Sequence, residues 1–365
     1  MTSTKTITVG SFPYAPAFNP YQRLITESIE SAGGIVSRIP PIKWFPLQNA
    51  VATECDILHL DWPHDWYNGK NVITRFLKTH MYIQGLKKLR EKPVIWTAHN
   101  LVSHDTPNAD REHYMIQKLI NQCRGVMVLS DASRQLLLAD YRIPEHVDIK
   151  KIYHGHYIDC YANQIAREDA RKKLGIALNE FVYLVPGTIK PYKGHLEAIA
   201  AFKSISTECD TLLIAGGGDT SFINKLRELA ERNAINVNGK IKFIPGFIAD
   251  DEFQTLYNAS DVTLLPFRHV LNSGSLLLAM SFGSPVIAPK TGSIPEIAMP
   301  QYYFGYEPNK NVVDGLKRAL VEAKSAISDG LPSLEISDAI ISYTRSKYDW
   351  QKIGTQLHAW YHKLV

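Results

Sequence analysis

Residues 185–194, VPGTIKPYKG, decide how this chain reads. They follow an apolar run, residues 181–185, and precede Leu196, Ile199, Ala200, Phe202 and Ile205, which recur at helical spacing. Strand, glycine turn, lysines and helix in that order place cations beside a helix start. Unpaired amides and the helix dipole already favour an anion there. Lys190 and Lys193 stand three apart, so both can reach one phosphate, and Gly187 and Gly194 let the backbone bend and approach a ligand closely. The spacing is not that of a Walker loop. By themselves the same residues also make a plain strand–helix turn with two solvated lysines.

Outward from this turn, short apolar runs alternate with helical patterns, which predicts parallel α/β structure. Strands are expected at residues 6–10, 35–39, 56–60, 93–97, 125–129 and 149–153, then at 181–185, 211–215, 241–244, 262–265 and 285–288. A charged stretch at 167–173 marks a seam between the two series. The chain has 365 residues, more than the roughly 100–200 of one domain, so two domains are expected, at 1–160 and 161–345. Two Rossmann-like domains would face each other with the carboxyl ends of their strands, where ligands bind. A last helix, 346–365, carries Trp350, Ile353, Leu357, Tyr361 and Leu364 on one face and needs a surface to cover, the first domain being the candidate.

Composition narrows the partners. A net charge of +4 is too small to imply nucleic acid, and no apolar run approaches the roughly 18 residues of a membrane span. Cys55, Cys123, Cys160 and Cys209 stand far apart, without zinc spacing, and read as reduced thiols of a cytoplasmic protein; the N-terminal residues lack a signal-peptide pattern.

Other predicted strand ends carry chemistry. Gly216-Gly217-Gly218 permits close backbone approach but does not spell the dinucleotide fingerprint. Asn272-Ser273-Gly274-Ser275 opens a Leu-rich helix, either as an ordinary cap or as a second anion cradle. Two cradles on neighbouring strands make a diphosphate the economical joint explanation. In the first half, WTAHN ends a strand on His99, and LHLDWPHD ends another on Asp61. Histidine and carboxylate at strand ends suit acid–base or sugar-binding work. His59 reads as a satisfied buried histidine, and the pairs His59/Asp61 and His154/His156 lack a third ligand, so no metal is expected. Residues 73–92 combine Ile73, Phe76, Leu77, Ile83, Leu86 and Leu89 with six basic residues. The expectation is a surface helix with its apolar face on the sheet; the alternative is contact with an anionic membrane surface.

Together these pieces resemble the GT-B glycosyltransferases, specifically the family-4-type group and its bacterial polysaccharide-assembly relatives. The resemblance runs from Ile7 to about Trp360. It rests on GSFP at 10–13, WTAHN, VLS ending at Ser130, GTIKPYKG, IAGGG, IPGFIADDE, NASDVTLLPF, NSGSLLLAMSFGSPVIAP and GSIPE ending at Glu296. It implies a second domain that binds a nucleotide-diphosphate sugar, UDP- or GDP-linked, and a first that receives a glycan or lipid-linked acceptor at the inner membrane face. Lys193 would contact the donor diphosphate, with Lys190 supplying the charge that an arginine in place of Thr188 gives many relatives. Gly217 would lie at the donor, the backbone near Phe247 and Ile248 would hold the base, and the phosphates would rest on Ser273, Gly274 and Ser275. Val270 and Leu278 stand where the family commonly has two glutamates, which leaves retention or inversion open. His99 matches a histidine near the transferred sugar. Asp61, Asp105 and His99 are the available bases, and Ser11 and Ser130 fall on the acceptor side. The resemblance implies no cofactor and no metal, because lysines, hydroxyls and helix-start amides replace magnesium. Rival readings are a nucleotide-sugar epimerase or sugar phosphorylase of the same fold, a sugar-binding protein without catalysis, and, more weakly, an NAD-dependent dehydrogenase.

Overall fold

The structure is a computed structural model that describes residues 6–15, 19–42, 47–69, 71–101, 108–231, 239–309, 311–328 and 333–365. The chain divides into two compact units, Met1–Gly155 with Tyr348–Val365, and His156–Lys347.

The first unit holds a parallel sheet of β1 (Thr8–Phe12), β2 (Ile35–Arg38), β3 (Ile57–Leu60), β4 (Val94–Thr97), β5 (Gly125–Val128) and β6 (Asp148–Lys151), in the order β2-β1-β3-β4-β5-β6. Every residue of β3, β4 and β5 is buried. That is the signature of parallel strands covered on both faces, and it explains why they read as continuous apolar runs. The strand order reverses direction between β1 and β3, and a crevice at the carboxyl ends of two such strands is where doubly wound sheets bind ligands.

The closing helix Trp350–Leu364 belongs to this unit. Asp349 caps it, accepting from the Lys352 amide at 2.8 Å. Ile353, Leu357, Trp360 and Tyr361 are buried in one cluster with Tyr21, Ile25 and Ile29 of the helix Tyr21–Ser31. Its three- and four-residue spacing thus finds the surface that it requires. Trp360 Nε1 donates to Asp148 Oδ2 at 2.9 Å, which fastens the helix to β6.

The second unit holds β7 (Phe181–Pro186), β8 (Asp210–Gly216), β9 (Lys240–Pro245), β10 (Val262–Leu264), β11 (Val286–Pro289) and β12 (Tyr303–Tyr306), in the order β12-β11-β10-β7-β8-β9. All pairings are parallel. Here the order reverses between β7 and β10. The charged stretch at 167–173 is the helix Arg167–Leu174 inside this unit. Arg171 is fully buried, donating to the carbonyls of Ala177, Leu178, Glu180 and Ala259 and to Asp261 Oδ2 at 2.8 Å. A charge-rich sequence there marks a pinned helix.

The sequence reading omitted β12 and the helix Ser333–Lys347. The strand has four residues, one a glycine, at the sheet edge, too short for a period to register. The helix Val72–Lys88 corrects another expectation. Tyr82 and Leu86 are buried, but Val72, Ile73, Phe76 and Leu77 in its first two turns face solvent, Ile73 and Phe76 by 72% and 71%. Its apolar side chains are buried only in the later turns.

Candidate active site

In the second unit the switch point brings together the loops that follow β7 and β10. The β7 chain continues past Gly187, where the Ile189 amide donates to the Gly217 carbonyl at 2.7 Å. It then forms a single tight turn, Pro191–Lys193, ahead of the helix His195–Ile205. Gly194, at φ 72°, is the join, and a Cβ there would lie 1.8 Å from the Pro266 carbonyl oxygen. Only glycine permits that left-handed turn and that contact. The Lys193 ammonium consequently stands 5.8 Å from the centre of the Phe267 ring. Burial, and next the neighbouring Lys190 charge, push Lys193 below its ordinary value. Among the described residues no carboxylate forms an ion pair with this half-buried ammonium, which faces an aromatic ring and feels a second cation.

The other sides of this cradle are backbone. At φ 150°, Gly216 passes so close to the Gly187 carbonyl that a Cβ would lie 2.0 Å from its oxygen. The Gly246 amide donates to the Gly216 carbonyl at 3.1 Å, which sets the loop after β9 beside the glycine run. Next along that loop, Phe247 is 88% exposed and Ile248 is half-buried. On the far side the helix Gly274–Ser281 begins with Gly274 exposed and Ser275 half-buried. Ser273 is buried and caps this helix, its hydroxyl accepting from the Leu276 amide at 3.1 Å. The first-turn amides at 274 and 275, without intrahelical acceptors, and the hydroxyl protons of Ser273 and Ser275 are what this helix start can offer an anion.

In the first unit β3 and β4 end side by side, and this brings Asp61 and His99 together. His99 Nε2 donates to Asp61 Oδ1 at 2.8 Å, with Asp61 2% and His99 9% exposed. The Asp61 amide donates to the Phe12 carbonyl at 2.9 Å, so the carboxylate stands at the reversal between β1 and β3. Trp62 stacks on His99, centroids 4.4 Å apart and planes 17° apart, and Tyr21 meets the imidazole edge-on at 4.8 Å. Trp62 adopts φ 40°, a left-handed conformation that costs a bulky residue on the order of 1–3 kcal/mol and persists where its surroundings over-determine it. His154 packs on Tyr21 and near Trp350; burial pushes it down to about 4, and its Nδ1 donates to the Gly155 carbonyl at 2.7 Å.

The remaining first-unit residues divide clearly. His59 is bonded on both nitrogens, to the Tyr361 hydroxyl and to Thr97 Oγ1, each at 2.6 Å, and is a satisfied core residue. Ser130 is fully buried as the cap of the helix Asp131–Asp140, accepting from the Ser133 amide at 3.0 Å. Ser11 is buried within β1, in register with His59 of β3. Asp105 lies outside the described residues. Sequence reasoning missed Tyr21, Trp62 and Trp350 around His99 and His154, because nothing local marks them. Among the described residues no group of three or more His, Cys, Asp or Glu side chains could hold a metal ion, and no helix is long and apolar enough to cross a membrane.

Two doubly wound parallel sheets, one with paired cationic and helix-start loops at its switch point, give a two-unit α/β protein with the GT-B fold. Residues 180–324 match the family model described as glycosyl transferases group 1, and this part of the chain is such a domain. The chain is 26% identical to GDP-mannose:glycolipid 4-beta-D-mannosyltransferase of Xanthomonas campestris pv. campestris over 345 residues, covering 93% of this chain and 86% of that protein. Sucrose-phosphate synthase from Thermosynechococcus elongatus superposes with a TM-score of 0.74 at 17% identity, covering 99% of both chains. Anabaena HepE, solved in complex with UDP, gives 0.70 at 17% identity, covering 97% of this chain and 98% of that one.

Proposed function

We propose that this glycosyltransferase moves a hexosyl group from a UDP- or GDP-linked sugar, held by the second unit, to a hydroxyl of a glycan or lipid-linked glycan bound by the first. The observation that carries the donor side is the contact of Gly194 with the Pro266 carbonyl, which sets Lys193 between the β7 and β10 loops. As the nucleoside diphosphate departs, its growing charge would be met by Lys193, Lys190 and the amides at 274 and 275. Fixed donors of this kind stabilise a leaving group without metal. The exposed ring and backbone at Phe247 and Ile248 offer a place for the base, beside Gly217. On the acceptor side, Asp61 orients His99, the arrangement of a general base with its carboxylate partner. The activity of the Xanthomonas relative, a GDP-mannose:glycolipid mannosyltransferase, supports this class of substrates.

The solvent-facing Val72, Ile73, Phe76 and Leu77, with Arg75 and Lys78 among them, support peripheral contact with an anionic membrane, each basic residue near such a surface contributing on the order of 1 kcal/mol. Salt-sensitive sedimentation with anionic vesicles, lost in a Phe76→Ser/Arg75→Glu variant, is the expected result; equal pelleting of both proteins contradicts it. For the reaction itself, a panel of UDP- and GDP-sugars is incubated with the protein in chelator and slow donor hydrolysis is followed. Release of nucleoside diphosphate from one donor is predicted. Absence of release from all, or epimer formation instead, would overturn the proposal.

A further inference from the structure

The stretch LHLDWPHD carries a further histidine, His64, that the site described above does not use, and the structure gives it a carboxylate of its own. His64 Nδ1 stands 3.5 Å from Oε2 of Glu112, a residue of the helix Ala109–Ile120 with no exposed surface. The first unit thus holds a second histidine–carboxylate pair besides Asp61–His99. We propose that Glu112 and His64 are positioning residues for that first pair, clamping the two chain segments that lead away from it. The proposal rests on the catalytic role given to Asp61 and His99 above.

The first segment follows Asp61. It passes through Trp62 and Pro63 into the short helix His64–Tyr67 and then Asn68. Glu112 Oε1 accepts from Asn68 Nδ2 at 3.1 Å. Its neighbour Arg111 donates to Asn68 Oδ1 at 3.0 Å and to the Tyr67 carbonyl at 2.6 Å. The Tyr67 hydroxyl lies 3.0 Å from His64 Nδ1, which closes the ring of contacts. Trp66 and Tyr67 are buried, Trp66 against Phe12 at 5.0 Å and Tyr67 against Tyr82 at 5.2 Å between ring centres. Polar and apolar contacts together therefore fix residues 64–68 on the helix Ala109–Ile120.

The second segment follows His99. The His64 ring bonds to the backbone of Asn100, and burial pushes that ring below its ordinary value. A neutral imidazole has one N–H to give and one nitrogen to accept with. The N–H serves the Asn100 carbonyl, and Nδ1 accepts from the Tyr67 hydroxyl. One residue further on, the Leu101 carbonyl accepts from the Tyr141 hydroxyl at 2.9 Å. Asp61 and His99 are thus each followed closely by an anchored stretch, and His64 joins the two. Well-packed apolar residues often replace a buried ionic group without loss of stability, so filling this space does not call for a carboxylate. Hydrogen bonds add preferred distances and angles, which is what holding a 2.8 Å bond between two strand ends requires.

The test compares His64→Leu, His64→Gln and Glu112→Gln with wild type on the full chain. In His64→Gln the amide N–H falls near the place of the imidazole Nε2–H and can still reach Asn100. Steady-state kinetics use the preferred nucleotide sugar, and NMR of protein labelled with nitrogen-15 histidine reads the His99 ring, assigned from His99→Gln. His64→Leu and Glu112→Gln should lower kcat about ten- to a hundredfold, the cost of a small misplacement of a reacting group, with donor KM unchanged. His64→Gln should recover most of the wild-type kcat. In wild type the His99 nitrogens should report one tautomer, protonated on Nε2 toward Asp61, and in His64→Leu and Glu112→Gln a mixture. Glu112→Gln carries the test if His64→Leu does not fold. Unchanged kcat or unaltered His99 nitrogens in the folded variants, or His64→Gln as slow as His64→Leu, overturns the positioning role. Altered His99 nitrogens in these variants of a protein that turns over no nucleotide sugar would sustain the clamp and overturn the glycosyltransferase reading.

Discussion

His99 Nε2 donates to Asp61 Oδ1 at 2.8 Å although 38 residues separate them, because β3 and β4 are neighbours and both end at the same edge of the first sheet. With that nitrogen held, the imidazole has one orientation. Replacing Asp61 by Asn keeps the shape and removes the charge that stabilises a protonated ring. Transfer should fall by about 10²–10⁴ in kcat, the range of a positioned acid–base group. Affinity for UDP or GDP should not change, since the lysine cradle belongs to the other unit. Steady-state kinetics with calorimetry checks both, and a kcat within a factor of three of wild type would remove the pair from the chemistry.

Gly194 makes the second prediction. Gly194→Ala places a methyl where the Pro266 carbonyl oxygen lies 1.8 Å away, at φ 72°. Backbone cannot yield as a side-chain end can, so the β7 and β10 loops must separate. Stability should fall by more than about 1 kcal/mol, and nucleotide affinity at least about tenfold. Unchanged affinity in a folded variant would show that the spacing of these loops is irrelevant to ligand binding.

A third prediction concerns pH. Burial pushes His154 and His195 down to about 4 from an ordinary value near 6.5, with the Lys193 charge adding to the effect at His195. Above 6.5 both are neutral, folded or unfolded. Between 6.5 and 4 the unfolded chain takes up the protons and the folded one does not, so stability declines as pH falls through this window. Below about 4 the loss levels off. Each residue accounts for roughly 2 kcal/mol by pH 5. Urea midpoints at pH 7 and pH 5 test this. A His154→Asn variant should lose less stability between the two than wild type does, and an identical loss would contradict the burial of a neutral ring.

What the sequence revealed depended on range. The turn at 185–194 was legible because its causes are local: an apolar run, two glycines and a helix start lie within some twenty residues. His59 was legible as core for a similar reason, standing mid-strand in an apolar run. The Asp61–His99 bond was not, since each residue appeared only as the end of its own strand and the pairing is a property of strand order. Trp62, Tyr21 and Trp350 converge from three distant segments, and a left-handed tryptophan leaves no trace in composition. Ser273 was read either as an ordinary cap or as part of an anion cradle, and the cap is present, its hydroxyl accepting from the Leu276 amide. The helix Val72–Lys88 misled because one apolar pattern serves two purposes, core for Tyr82 and Leu86 and solvent-facing surface for Ile73 and Phe76.

The central claim is that the switch point of the second sheet holds the donor's diphosphate through Lys193. Calorimetry of wild type and Lys193→Ala with UDP and GDP, in EDTA, tests it most directly. A charge-assisted phosphate contact is worth roughly 1.5–3 kcal/mol. The preferred nucleotide should therefore bind wild type in chelator and bind the variant about ten- to a hundredfold more weakly. The thermal midpoint should stay near that of wild type, since the ammonium's contact is a ring face. Equal affinity of the two proteins, or binding to wild type that requires added magnesium or manganese, would contradict it.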